Sequence, residues 1–394
     1  SDSAALASIM EDFHYAGTET CAVDGLCATA CPVGINTGDY VKHLRADSVK
    51  SETLALWIAN NFAFVEKALG WGVRLGHVAE KVIGVNGIKS ISIAAEKITG
   101  ATLPKWNHHI PSSKKIPGGP GGSTEFIYFP SCVSRQLGVP SVRFQVPGSR
   151  DLTPATLRDV AQSSHSQGSA SHMALSEALI TIAQRAGICL QIPPDVEGHC
   201  CGMPFGSKGY SAAYKATLHR TILEFWDWSM YGKYPIVIDT TSCTYTLRTC
   251  SDALSKEDKE LWKELTILDG IEFLHDHILP RLDVHPVDEE IVLHPNCSAR
   301  KLGLDAKLIA IARRCARSVT VPLNLGCCAF AGDRGLLYPE LTASATEKET
   351  AEVNARDYDG YYSSNITCEI GMSEATGKDY MGIVYLVERA STGS

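Results

Sequence analysis

Residues 126–138 read FIYFPSCVSRQLG and residues 291–303 read IVLHPNCSARKLG. Each starts with a short apolar run, passes through Pro and reaches a Cys two positions later. Counting nine positions from Pro130 and from Pro295, five coincide: Pro, Cys, Arg, Leu and Gly. The runs FIYF (126–129), ICLQI (188–192), IVI (236–238), IVL (291–293) and VTV (319–321) have the length and content of buried strands. Residues 174–185, 212–230 and 306–316 carry apolar side chains at helical spacing. Short apolar strands alternating with amphipathic helices predict a mostly parallel sheet covered by helices.

The likeness continues downstream. GHCCGMPFGSKG (198–209) pairs with LGCCAFAGDRG (325–335), and DTTSC (239–243) pairs with SNITC (364–368). The interval from Cys201 to Cys243 is 42 residues and that from Cys328 to Cys368 is 40, so the two copies keep one frame. Cys132 and Cys200 lie farther apart than Cys297 and Cys327, and a polar stretch at 141–172 accounts for most of the excess. An internal repeat with this order predicts two α/β modules, 126–285 and 286–394.

Most of these cysteines follow a strand or a Gly turn, and sites in open parallel sheets form beyond the C-terminal strand ends. Cys132, Cys200, Cys201 and Cys243 are therefore expected to meet in one module, and Cys297, Cys327, Cys328 and Cys368 in the other. Four thiolates suit iron–sulfur or zinc and suit hard cations poorly. Gly202 would let the backbone pass close to a bound group, and Ala329 replaces it in the second copy. A positive φ there would make Ala costly. Cys189, Cys250 and Cys315 fall outside the frame, and Cys189 and Cys315, in apolar strand or helix context, read as core cysteines.

Residues 1–50 hold Cys21-x5-Cys27-x3-Cys31-Pro32, close to the bacterial ferredoxin run. Asp24 stands where that run has its second Cys. It either completes a [4Fe–4S] cluster as an oxygen ligand or leaves a corner open, as in a [3Fe–4S] form. A zinc knuckle and plain reduced thiols are the other readings. Residues 51–100 read as helices, and 101–125, rich in Pro, Gly and Ser, as a linker. The expected fold class is thus α+β and α/β, a helical ferredoxin-like domain followed by the two modules.

Composition narrows the function. Of 394 residues 14 are Cys, too sparse for a small disulfide scaffold, and the net charge of −8 argues against a nucleic-acid surface. No apolar run reaches membrane-spanning length. No Ser/His/Asp arrangement stands out, so no catalytic residue is assigned on this chain. His199 and His294, close to cysteines, are read as hydrogen-bonded neighbours before ligands. Arg135, Arg300, Lys208 and Arg334 read equally as offsets to cluster charge and as ordinary salt bridges.

The segments CAVDGLCATACPVGINTGDYVKHLR, FPSCVSRQLG, CCGMPFGSKG, DTTSCTY, HPNCSARKLG, CCAFAGDRG and TCEIGMS together resemble the iron–sulfur half of FAD-linked D-lactate dehydrogenases and glycolate oxidases. The paired modules resemble the CCG cysteine-rich domains of heterodisulfide reductase subunits. The resemblance implies an electron route from FAD on a partner domain or chain, through clusters held here, to a quinone or cytochrome. It implies a mitochondrial or membrane-associated site reached through a partner, with the cytoplasm as the fallback. Two departures stand out: Cys243 and Cys368 each lack the neighbouring Cys of a C-x2-C, and the second Cys-Cys-Gly is Cys-Cys-Ala. They motivate an alternative, a structural or assembly subunit of a respiratory complex with a degenerate fold. A thiol/disulfide reductase is a third reading.

Overall fold

The computed structural model describes residues 3–112, 114, 116, 123–140 and 173–392. The polar stretch 141–172 lies outside the described residues. The chain mixes helices with two four-stranded parallel sheets. The first sheet contains β1 (Phe126–Phe129), β2 (Leu190–Gln191), β3 (Ile236–Ile238) and β4 (Ile267–Asp269), in the order β2-β1-β3-β4. The second contains β5 (Val287–Leu293), β6 (Ala316–Thr320), β7 (Gly360–Ser363) and β8 (Tyr380–Gly382), in the order β6-β5-β7-β8. Both sheets thus place their first strand between the second and third.

The strands are short, and the central ones are buried on both faces where they pair, as parallel sheets under helices require, whereas the edge strand β6 is half-buried. β1 and β3 are buried throughout, and Ile127 pairs with Ile236, Tyr128 with Val237 and Phe129 with Ile238. In the second sheet Ile291 pairs with Gly360, Val292 with Tyr361 and Leu293 with Tyr362. The covering helices Leu175–Arg185, Ser211–Trp228 and Asp305–Cys315 lie within two residues of their expected bounds. The strand expected at 319–321 instead ends at Thr320 and begins at Ala316. Within 188–192 only Leu190–Gln191 is paired.

The two sheets are joined by side chains from both. Helix Ile383–Ala390 of the second half packs on helix Leu175–Arg185 of the first, with Arg185 Nη2 2.9 Å from Glu388 Oε1. Tyr385 Oη donates to the Gly138 carbonyl at 3.1 Å. Beyond the ends of β3 and β7, Asn365 Nδ2 donates to Ser242 Oγ at 3.4 Å.

Helix Phe62–Thr99 fastens to both halves. Glu66 reaches Arg135 and the Gly198 N–H in the first half, and Lys89 lies 3.5 Å from Glu374 in the second. The helix breaks its direction at Gly84, whose φ of 72° a side chain would resist. The segment after it is packed in place: Lys105 N–H donates to the Leu336 carbonyl at 2.7 Å, and Trp106 lies so close to Gly76 that no Cβ would fit there. Residues 105–109 thus fasten the helix to the second half, within the stretch whose composition reads as a linker.

Candidate metal centre

In the first half, the Ser131 hydroxyl caps helix Cys132–Leu137 by accepting from Ser134 N–H at 3.2 Å. Asp239, just past β3, accepts from Ser131 N–H at 3.0 Å and from Tyr128 Oη at 2.6 Å. These bonds fix the turn that presents Cys132. Cys243 sits in the first turn of helix Thr241–Arg248, which follows β3. Cys132 Sγ lies 4.0 Å from Cys200 Sγ, and Cys201 Sγ lies 3.2 Å from Cys243 Sγ. Cys200 and Cys201 are adjacent in the chain, so the two pairs share one turn.

The second half repeats the arrangement. Asn296 caps helix Cys297–Lys301, its Oδ1 accepting from Ala299 N–H at 2.9 Å. Cys328 Sγ lies 3.1 Å from Cys368 Sγ, and Cys297 and Cys327 line the same cavity as this pair. The turn after each Cys pair has a positive φ, 82° at Gly202 and 53° at Ala329. Ala329 N–H still donates to Cys327 Sγ at 3.3 Å, as Gly202 N–H does to Cys200 Sγ at 3.4 Å. The strain foreseen for Ala is present, at a cost of about 1 kcal/mol.

The thiol environments differ between the halves and the N-terminal loop. The hydrogen bond with Cys200, and then burial, push the Cys132 thiol well up. The bond with Cys327, and then burial, do the same to Cys297, against a downward pull from Lys301. In the loop, the Thr37 hydroxyl donates to Cys27 Sγ at 3.2 Å and lowers that thiol's pKa, and backbone N–H groups led by Ile35 lower that of Cys31. Hydrogen bonds thus ease ionisation of Cys27 and Cys31, whereas Cys132 and Cys297 are shifted the other way.

Donor type, number and burial in each half fit a soft metal. Two thiolates on one zinc stand about 3.8 Å apart, the edge of a tetrahedron with 2.3 Å bonds. Cys132 and Cys200 meet that spacing, whereas Cys201–Cys243 and Cys328–Cys368 are closer. Accordingly, among the described residues no three His, Cys, Asp or Glu side chains stand ready around a metal ion.

Asp24 takes an unexpected position. Its Oδ1 accepts from Leu26 N–H at 2.9 Å, and the residue lines a cavity of about 280 Å³. Cys297, Cys327, Cys328 and Cys368 line the same cavity, together with Lys42 and Lys301. The structure therefore brings Asp24 to the second-half thiols. Sequence reasoning also missed Arg45, which is buried and holds the loop: its Nη2 donates to the carbonyls of Thr18 at 2.6 Å and Cys21 at 2.8 Å, and its Nη1 to that of Ser207 at 2.6 Å. Burial lowers its pKa to about 10.

Of the basic residues near cysteines, Arg135 is buried against Glu66 and its charge reaches Cys132. Arg300 lies 3.6 Å from Asp305 at the surface, and Lys208 pairs with Asp333. Arg334 donates to the Glu19 carbonyl. His199 packs edge-on against Trp228, and His294 Nδ1 lies 2.7 Å from Glu349 Oε1 in the core.

No curated protein matches the chain. Residues 165–248, which hold Cys200, Cys201, Cys243 and the helix between them, match the CCG cysteine-rich domain family, and that segment carries such a domain.

Proposed function

We propose that this chain is the iron–sulfur electron-transfer subunit, or part, of a flavin-linked D-2-hydroxyacid dehydrogenase acting on a D-lactate-like substrate. The observation that carries the proposal is the close pairing of Cys132 with Cys200, of Cys201 with Cys243 and of Cys328 with Cys368, with the start of the Cys21–Cys31 loop tied to Ser207 of the first half through Arg45. The CCG match supports an iron–sulfur, electron-transfer type of role. On this reading Cys132, Cys200, Cys201 and Cys243 hold one group. Cys297, Cys327, Cys328 and Cys368 hold a second, and Cys21, Cys27 and Cys31, with Asp24 as the candidate fourth ligand, a third. Such clusters supply one-electron steps. This chain's part is to exclude water from the sulfurs, hold their spacing and dock the partner that carries FAD. The acceptor is a quinone or cytochrome at a mitochondrial or other membrane. Among the described residues no helix is long and apolar enough to cross that membrane.

The test is iron and acid-labile sulfide analysis of the chain purified without oxygen, followed by EPR after dithionite. Iron with matching sulfide and a reducible signal supports the proposal, and a native chain with neither overturns it.

The second reading is a structural or assembly subunit. It is favoured by the strained Ala329 turn in the second half. Zinc, or a single group that dithionite leaves unchanged, would select it.

A further inference from the structure

Among the described residues, little covers one face of helix Phe62–Thr99. Phe64, Trp71, Leu75, Val78 and Val82 are each between 59% and 78% exposed. With Ala68 they follow steps of four and three residues, which puts them on a single helical stripe about 27 Å long. Leu69 and Ile83 are also exposed and widen the apolar arc beyond that stripe. Trp57, on the preceding helix, meets Phe64 edge-on at 6.3 Å and extends the surface.

Charge on this helix is one-sided. Lys67, Arg74 and Lys81 recur every seven residues and form a row along one flank of the stripe. Arg74 and Lys81 make no ion pair among the described residues, and Lys67 has only the exposed Glu197 at 3.5 Å. The helix's own acids are turned away: Glu66 is buried on Arg135, Glu80 holds Trp106 and His108, and Glu96 holds Lys105. Farther along, Lys89 is met by Glu374. A chain of net charge −8 thus gathers basic and apolar side chains on one outward face.

We propose that this face binds an anionic lipid bilayer, with the helix lying in the plane of the headgroups. A wide apolar arc with large aromatic and aliphatic side chains, bordered by Lys and Arg, is the pattern of an interfacial helix. The 64–82 stripe alone has the four-three spacing of a helix seam, but Leu69 and Ile83 widen it and its charged flank is basic, where a seam carries charges of both signs. Indole rings settle at the headgroup level, which suits Trp57 and Trp71. The inference rests on this face alone and stands apart from the redox proposal.

The test is sedimentation of the whole chain with vesicles of equal parts phosphatidylcholine and phosphatidylglycerol. Vesicles of phosphatidylcholine alone serve as the comparison. Each basic residue near an anionic surface contributes about fivefold in binding. Arg74→Glu with Lys81→Glu is therefore expected to weaken binding at least about 25-fold. Trp71→Ser with Leu75→Ser is expected to abolish sedimentation at the same lipid concentration. All four positions are exposed, and circular dichroism checks that the variants fold. Three results would overturn the proposal. The unaltered chain fails to bind anionic vesicles, or the variants bind as it does. In the third, light scattering shows a dimer that depends on Trp71 and Leu75 without any lipid binding, which assigns the face to a second copy.

Discussion

The Arg135 guanidinium lies against the Glu66 carboxylate, Nε to Oε1 2.5 Å, with both side chains almost wholly excluded from water. Glu66 Oε2 also accepts from Gly198 N–H at 3.0 Å, and Arg135 donates to the carbonyls of Pro130 and His199. The pair therefore ties the long helix to both turns that carry Cys132 and Cys200. Removing one partner strands the other charge in the core, at a cost of about 3–5 kcal/mol. Glu66→Ala should lower the unfolding free energy extrapolated from urea titrations by that amount, whereas Lys67→Ala beside it should change it little.

The turn after each cysteine pair gives opposite expectations for one exchange. Ala329→Gly relieves a φ of 53° and should raise stability by about 0.5–1 kcal/mol. Gly202→Ala meets the Tyr214 ring, 2.7 Å from where its Cβ would sit, at a φ of 82°. It should cost about 2 kcal/mol or more. Thermal melts of the two variants check both signs.

Asp269 is fully buried, and burial raises its pKa from the usual 3.8 to about 6. Between those values the folded chain binds the proton more tightly than the unfolded one, so stability falls as pH rises through that window. The loss amounts to about 3 kcal/mol by pH 6 at 1.36 kcal/mol per pH unit. Asp269→Asn keeps an oxygen for Ile271 N–H and should flatten this decline in urea titrations at pH 4, 5 and 6.

Cys27 and Cys31 should react with iodoacetamide before the sheet cysteines do. Their pKa values are lowered, by Thr37 and by backbone N–H groups led by Ile35, whereas Cys132 and Cys297 are raised. The thiolate is the reacting form. Peptide mass spectrometry of the metal-free chain near neutral pH should show alkylation in that order. Thr37→Val should slow Cys27 and leave Cys31 unchanged.

On the proposed redox reading, Cys243→Ser should remove iron from the first half and spare the loop, and Cys27→Ser should do the reverse. Iron and sulfide content with low-temperature EPR distinguishes the two variants.

Much of the fold could be read from the residues. FIYF and IVI are uniformly apolar and form buried strands, and the Pro-x-Cys turns sit directly after β1 and β5. β4, β7 and β8 gave no such signal, because ILD, GYYS and YMG are three or four residues long and mix polar with apolar side chains. Their burial is decided by neighbouring strands. The cysteine sets within each half follow from repeated order. The placement of Asp24 and the grip of Arg45 on Ser207 do not, because each depends on how the loop docks across a gap of many residues. The tethering role of Lys105 and Trp106 was hidden for the same reason, since loop composition says nothing about what a loop rests on.

Residues 62–112 clasp the first half through Glu66 and the second through Lys89 and Lys105. Sliding one sheet past the other would have to shear this brace along its length. If charge hops between sulfur groups on either side, its rate falls steeply with every added ångström of gap. A bend at Gly84 would then act as a tuning point: stiffening it should steady the gap, and loosening it should blur the transfer rate without touching a single cysteine.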